Sequence, residues 1–299
     1  MSELPYLGEI LSLAAAVVWA GAVILFKKSG ETVHPIGLNL FKGLLGIALF
    51  IPTALLMGED IFHEASSRDY HVLLASGGLG IAVCDTLFLR SLNILGASLS
   101  AIVDCVYAPF VTVLSVLFLK ETLTGWQVGG IALIALAIVA ASYEPRRMPT
   151  SLPRKDLILG LSLGAVAMLS MAISIIMVKE IMEREPIIWS TQVRLVGGAA
   201  LLIPMLLLHP QRRAIVHATL WGSGRIYTVL GSFLGAYLAM MCWVGGLKFT
   251  QASVAANLNQ MSNLFVFIFG ALFLAEAVNR RRVLGIVLGI GGVFLVTFG

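Results

Sequence analysis

The same pattern of five apolar segments is written twice in this chain, over residues 11–140 and roughly 163–296, with polar residues recurring at matching points inside the copies. Lys27 matches Lys179, Lys42 matches Arg194 and Pro52 matches Pro204, all at a spacing of 152 residues. Further along the spacing is 155: Ala97-Ser98 matches Ala252-Ser253, Ala101 matches Ala256, and FLKET at 118–122 matches FLAEA at 273–277. Five is an odd number of crossings, so if the segments span a membrane the second copy must enter it from the opposite side. The constraint predicts two five-helix halves of inverted topology.

The composition requires the membrane. The chain is 59% hydrophobic and 12% charged, more apolar surface than a soluble domain of 299 residues could keep from water. Ten apolar runs approach or exceed the roughly 20 residues that cross a bilayer. They cover about 7–26, 36–57, 70–91, 97–119, 125–143, 157–178, 187–208, 226–247, 252–274 and 282–298. Backbone groups in hydrocarbon need internal partners, so runs of this length predict helices, whereas a barrel would alternate over about ten residues. The expected fold is an all-α integral membrane protein of ten transmembrane helices, with one repeat over 1–148 and its inverted counterpart over 149–299. The first segment follows Glu3 and Glu9 rather than basic residues, and reads as a helix rather than a cleaved leader. Cys84, Cys105 and Cys242 fall inside segments, which argues against a disulfide framework or a zinc cage. The net charge of +4 resides in loops between segments and is no nucleic-acid signal. No metal or cofactor is expected.

Apart from Lys42 and Arg194, which lie inside segments, 13 Lys/Arg fall on the side of loops 1–2, 3–4, 5–6, 7–8 and 9–10, and five on the other. The positive-inside rule makes the basic face cytoplasmic and puts both termini outside. Snorkelling from helix ends is the competing reading of that count.

The layout resembles the drug/metabolite transporter superfamily in its ten-helix, EamA-like branch. The resemblance covers nearly the whole chain. It is carried by Trp19 in segment 1, by the basic residue of LFKGLLG (Lys42) and VRLVGG (Arg194), by the run GASLSAIVDCVYAPF and its echo QASVAANLNQMSNLF, and by Glu121 and Glu276 before a Gly-rich last segment of each half. It implies a secondary carrier of a bacterial inner membrane, working as monomer or homodimer, with the lipid bilayer and a small-molecule substrate as partners. The acidic loop 2–3 departs from the family pattern, in which that loop is basic and both termini are cytoplasmic.

Inverted repeats hold substrate between the halves near the midplane, and ionisable residues inside segments are the first candidates for contact. Lys42, Asp85 and Asp104 each lie about 10 Å from the basic face, counted along their helices. At the mirrored level Arg194 replaces Lys42, Met240 replaces Asp85 and Asn259 replaces Asp104, while Asn257, Gln260 and Asn263 add amides. Carboxylates in one half and a guanidinium with amides in the other suggest a zwitterionic or mixed-charge metabolite such as an amino acid. Trp19, Tyr107, Tyr237 and Trp243 are candidate apolar walls. Asp85 and Asp104 are candidates for proton coupling, and Pro52 and Pro204 for hinges. Each has a plainer alternative: the charges as a structural triad, the amides as interhelical bonds, the aromatics and Met168, Met171 and Met177 as packing. Glu121 and Glu276 are expected to cap the helices that follow them.

Carriers of nucleotide sugars or sugar phosphates and multidrug exporters remain alternatives, although two carboxylates oppose a dianion. A channel would need a continuous polar lining. An intramembrane enzyme lacks its motifs here: Asp85 sits in GIAVCDT, no HExxH occurs, and all five histidines lie in or near loops.

Overall fold

In the computed structural model, residues 5–60, 63–142, 153–274 and 280–298 are described. Among them every regular element is helical. The first half comprises α1 (Leu7–Ser29), α2 (Pro35–Met57), α3 (Ser67–Gly77), α4 (Cys84–Asp104), α5 (Tyr107–Leu114) and α6 (Gly125–Ser142). The second comprises α7 (Arg154–Arg184), α8 (Ile187–Leu208), α9 (Arg212–Trp221), α10 (Arg225–Ser232), α11 (Met240–Phe249), α12 (Ala252–Asn259), α13 (Ser262–Leu274) and α14 (Arg280–Phe298). Among the described residues six stretches are long and apolar enough to cross a membrane, and Tyr107–Leu119, Gly125–Ala140 and Val283–Phe298 are shorter apolar helices.

Helix starts follow from local chemistry. Pro35 opens α2 behind His34, whose Nδ1 accepts from the Ile36 N–H at 3.3 Å. Burial, and then the facing His209, hold the His34 pKa below the usual histidine value, which keeps that nitrogen an acceptor. Ser66 caps α3 through the Asp69 N–H. Gly58 ends α2 in the left-handed region, at φ 70°.

The two halves repeat each other in their irregularities. A π-helical turn at Gly78–Val83 joins α3 to α4, and another at Phe233–Ala239 joins α10 to α11, about 155 residues on. The predicted fourth and ninth segments are each interrupted, at Cys105–Val106 and at Gln260–Met261, again 155 apart. The third and fourth crossings share the helical stretch Cys84–Asp104. A Cβ on Gly164 would lie 2.8 Å from Ser91 Oγ and 2.5 Å from Val103 Cγ1. A straight helix would hold those residues about 18 Å apart, so the chain folds back between them. Two further differences from the sequence reading are the length of α7, 31 residues against the expected 157–178, and the extra helix α9 inside loop 7–8.

Small residues set the packing, as where lipid offers helices no hydrophobic drive to associate. Gly130 of α6 faces the backbone of Gly292 in α14, and a Cβ there would come within 2.8 Å of its carbonyl. α3 crosses α8 so closely that a Cβ on Gly77 would overlap the Arg194 backbone carbonyl, and one on Gly197 the Leu74 carbonyl. Gly129, by contrast, has open space around it. Gly77→Ala is therefore expected to destabilise the protein by about 1–3 kcal/mol through overpacking. Gly129→Ala is expected to be neutral or stabilising by up to about 1 kcal/mol. Thermal unfolding of the two variants side by side in one detergent checks the contrast.

Candidate substrate site between the two halves

The interrupted helices gather the polar residues. Val106 N–H donates to the Val103 carbonyl at 3.0 Å and Met261 N–H to the Leu258 carbonyl at 3.1 Å, equivalent tight turns in the two halves. Pro109, near the start of α5, cannot donate to the Cys105 carbonyl one turn back, which accounts for the first break. The second has no proline. It has amides, which compete for backbone groups. Asn257 Nδ2 donates to the Ser253 carbonyl at 2.8 Å and to Thr112 Oγ1 at 3.1 Å. Gln260 Nε2 donates to the Asp104 backbone carbonyl at 2.7 Å, and Asn263 Nδ2 to Asp104 Oδ2 at 3.0 Å. Amides of the second half thus bond the break of the first. Asn259 is half-buried at the end of α12.

Lys42 and Asp85 form a part-buried pair, Nζ to Oδ2 at 2.9 Å. Asp104 stays out of that pair: its carboxylate is held by Asn263, and among the described residues it forms no ion pair.

Arg194 is buried, 3% exposed, where α3, α7 and α8 cross. Its Nε donates to Ser76 Oγ at 3.0 Å and one terminal nitrogen to Ser174 Oγ at 3.1 Å. Each serine hydroxyl in turn donates to the other's backbone carbonyl at 2.9 Å. The guanidinium lies over the Trp243 ring, 5.6 Å from its centroid, and no carboxylate among the described residues pairs with it. Tyr107 is buried in a cluster with Cys84, against which Trp243 packs. The Tyr107 hydroxyl and the Trp243 indole nitrogen are both buried without a hydrogen-bond partner.

The remaining candidates are held elsewhere. Tyr237 Oη bonds Thr53 Oγ1 at 2.6 Å and its ring meets Phe50 edge-on. Trp19 packs on Phe26, with centroids 6.2 Å apart. Pro52 and Pro204 lie in unbroken helices with their rings exposed. Met168 is core, while Met177 is exposed.

The face opposite the basic one is laced shut between the halves. Glu59 accepts from the N–H groups of Ile188 and Trp189 at the start of α8. Glu121 accepts from those of Ala252 and Ser253, and from the Ser253 hydroxyl, at the start of α12. Both helices lack a cap of their own, and negative charge suits a helix N-terminus. This corrects the expected role of Glu121. The helix after it needs no help, because Thr124 and Gln127 form a reciprocal capping box at its start. Glu276 lies outside the described residues. Lys179, buried although its sequence position suggested a loop, bonds Glu183 and the carbonyls of Leu247 and Thr250. It lies in a crevice of about 390 Å³ lined also by Glu121, Lys248 and Gln251. Arg184 bridges Asp69 and Glu185, and His63 also bonds Glu185.

The profile of the EamA-like transporter family matches the chain twice, over residues 6–143 and 158–298. The chain belongs to that family, and with it to the drug/metabolite transporter superfamily. An uncharacterized transporter of Archaeoglobus fulgidus is 24% identical, aligned over 93% of each chain. Another, of Methanothermobacter thermautotrophicus, is 24% identical over 97% of this chain and 85% of its own. A crystal structure of a protein 15% identical superposes with a TM-score of 0.82 over 99% of this chain and 98% of that one, which shows the fold. The protein is thus a multi-pass membrane transporter of two inverted five-helix repeats.

Sequence reasoning missed the partners in this transporter. Ser76 and Ser174 are ordinary small residues in apolar runs, and nothing in the sequence ties them to Arg194. Pro109 was the one readable sign of a break.

Two predictions follow from the pairings. Lys42→Met or Asp85→Leu alone strands a charge and is expected to cost about 1–3 kcal/mol, more than the double variant Lys42→Met/Asp85→Leu; a double-mutant cycle on melting temperature measures the coupling. At Glu185, burial opposes the charge, but the hydrogen bonds from His63 and Arg184 override it and hold the carboxyl below its ordinary value. A depressed folded-state pKa contributes stability that is present above the unfolded value and lost as pH falls through the folded one. The melting-temperature gap between the wild type and Glu185→Gln should therefore shrink as pH falls from about 5 to about 3.

Proposed function

We propose that this transporter is a secondary active, alternating-access carrier of a small zwitterionic metabolite, such as an amino acid or a related compound. The single observation that carries the reading is Arg194: a buried guanidinium without a carboxylate partner, next to the unpartnered Tyr107 hydroxyl and Trp243 indole N–H. A carboxylate would complete all three, with bonds strengthened by charge and burial. Asp104, held by one amide and no base, is the counter-site for an ammonium group. Asp85 is already answered by Lys42. Tyr107, which shares a buried cluster with Trp243 and has an unpartnered hydroxyl, supports this pairing of subsites.

The same bookkeeping weakens the sugar-phosphate and nucleotide-sugar reading. Lys42 is neutralised by Asp85, so one arginine would face a dianion with Asp104 opposing it. Asp104 is also the better-placed residue for proton exchange, since a proton and an ammonium can alternate there. The two halves, 1–148 and 149–299, would rock about the site. The broken fourth and ninth crossings and the paired π-helical turns are better flexing points than Pro52 and Pro204, whose helices run unbroken. In the inner membrane of a bacterium, with the basic face cytoplasmic, the laced face would be the closed outer one.

Purified protein is screened for thermal stabilisation by amino acids, amines, sugar phosphates and nucleotide sugars. Zwitterions are expected to raise the melting temperature. Arg194→Gln and Asp104→Asn are expected to weaken their binding at least about tenfold, the scale of one charged hydrogen bond, while the Lys42/Asp85 double variant binds. Stabilisation by phosphorylated anions alone, or zwitterion binding unchanged in both single variants, would refute the reading.

A further inference from the structure

The extra helix α9 is not required by the ten-crossing fold. Its Ile215 and Thr219 are buried against α2, where Gly37 leaves room for both. Its other face turns outward: Arg212, Arg213, Val216, His217, Leu220 and Trp221 are all exposed. With Leu206 and Leu207 from the end of α8, this face walls a cleft of about 380 Å³.

The cleft pairs two chemistries. Its floor is apolar, and the adjoining Leu208 and Trp221 are 84% and 69% exposed. Its rim carries two guanidiniums and an imidazole, and among the described residues no carboxylate lines it. Arg212 is fixed there by a bond from Nη1 to the Leu207 carbonyl at 2.7 Å, and among the described residues neither arginine is in an ion pair. Both stand at the N-terminal end of α9, where helix N–H groups add positive potential. Arg225 and Lys28, the latter over the Tyr227 ring, extend the same basic face. An amphipathic helix with basic residues and a tryptophan, placed at the end of a membrane crossing, lies at the depth of lipid headgroups. Apolar contact alone would suit any acyl chain, but the uncompensated arginines select a negative headgroup.

We propose that this cleft binds an anionic phospholipid, with its phosphate on Arg212 and Arg213 and an acyl chain along Leu206, Leu207, Val216 and Trp221. The lipid would seat α9 against the membrane surface and brace the junction of the seventh and eighth crossings. The proposal is independent of the substrate reading.

The test uses the full-length protein in neutral detergent, titrated with phosphatidylglycerol or with phosphatidylcholine of the same acyl chains, and separately with inorganic phosphate. Melting temperature and native mass spectra are the readouts. Phosphatidylglycerol is expected to bind and stabilise at concentrations where phosphatidylcholine and phosphate do not. Arg212→Gln/Arg213→Gln is expected to weaken that binding about tenfold or more, the scale of two surface charges. Brominated phosphatidylglycerol is expected to quench the wild-type fluorescence more than that of Trp221→Phe, which keeps both arginines and serves if the double variant does not fold. Equal stabilisation by the two lipids, an equal effect of phosphate, binding undiminished in the double variant, or identical quenching of wild type and Trp221→Phe would overturn the proposal.

Discussion

No backbone amide or carbonyl can be left bare in hydrocarbon, and the two interrupted crossings show how this chain lives with that constraint. A break inside a membrane helix frees polar groups, so it is tolerable only where protein surrounds it. Here the break after Asp104 is bonded by Gln260, and the carboxylate of Asp104 by Asn263, both from around the break of the other half. Amides beside the second irregularity thus satisfy the first across the pseudo-symmetric interface. That arrangement concentrates polarity between the repeats and leaves the lipid-facing surfaces to leucine, valine and phenylalanine.

The charges follow the same economy with one exception. Lys42 has Asp85, Lys179 has Glu183 and two carbonyls, and Arg184 has Asp69 and Glu185. Arg194 alone among the buried bases described has only hydroxyls and an aromatic face. Two serines position a guanidinium without neutralising it, and the proposed carboxylate subsite rests on that feature. On the opposite principle, Glu59 and Glu121 spend their charge on helix starts of the other half, fastening the two repeats at one face.

Much of the fold was legible in sequence because membrane helices are specified by length and polarity. The breaks and π-helical turns recur at the repeat spacing of 155 residues, but the sequence reading took those segments as uninterrupted. α9 escaped notice because its ten residues, RRAIVHATLW, carry no membrane-length signal. Of the site, Lys42, Asp85, Asp104 and Arg194 stood out because charge in an apolar run is rare. Their partners did not stand out: Ser76 and Ser174 look like any small residues that let helices approach. Tyr237 and Trp19 shared the expected depth with the charges, yet rotation about the helix axis turned them to Thr53 and Phe26.

The sequence by itself determined the membrane class and the two inverted halves, since these depend on spacing along the chain and on the cost of polar groups in lipid. Only the tertiary structure decided which charges pair, that Glu121 caps a helix of the other half, and that Arg194 is left uncompensated. Pairing depends on which helix faces touch. That is set by close approach at residues such as Gly77 and Gly197, among thirty glycines whose sequence positions alone do not say which neighbour they admit.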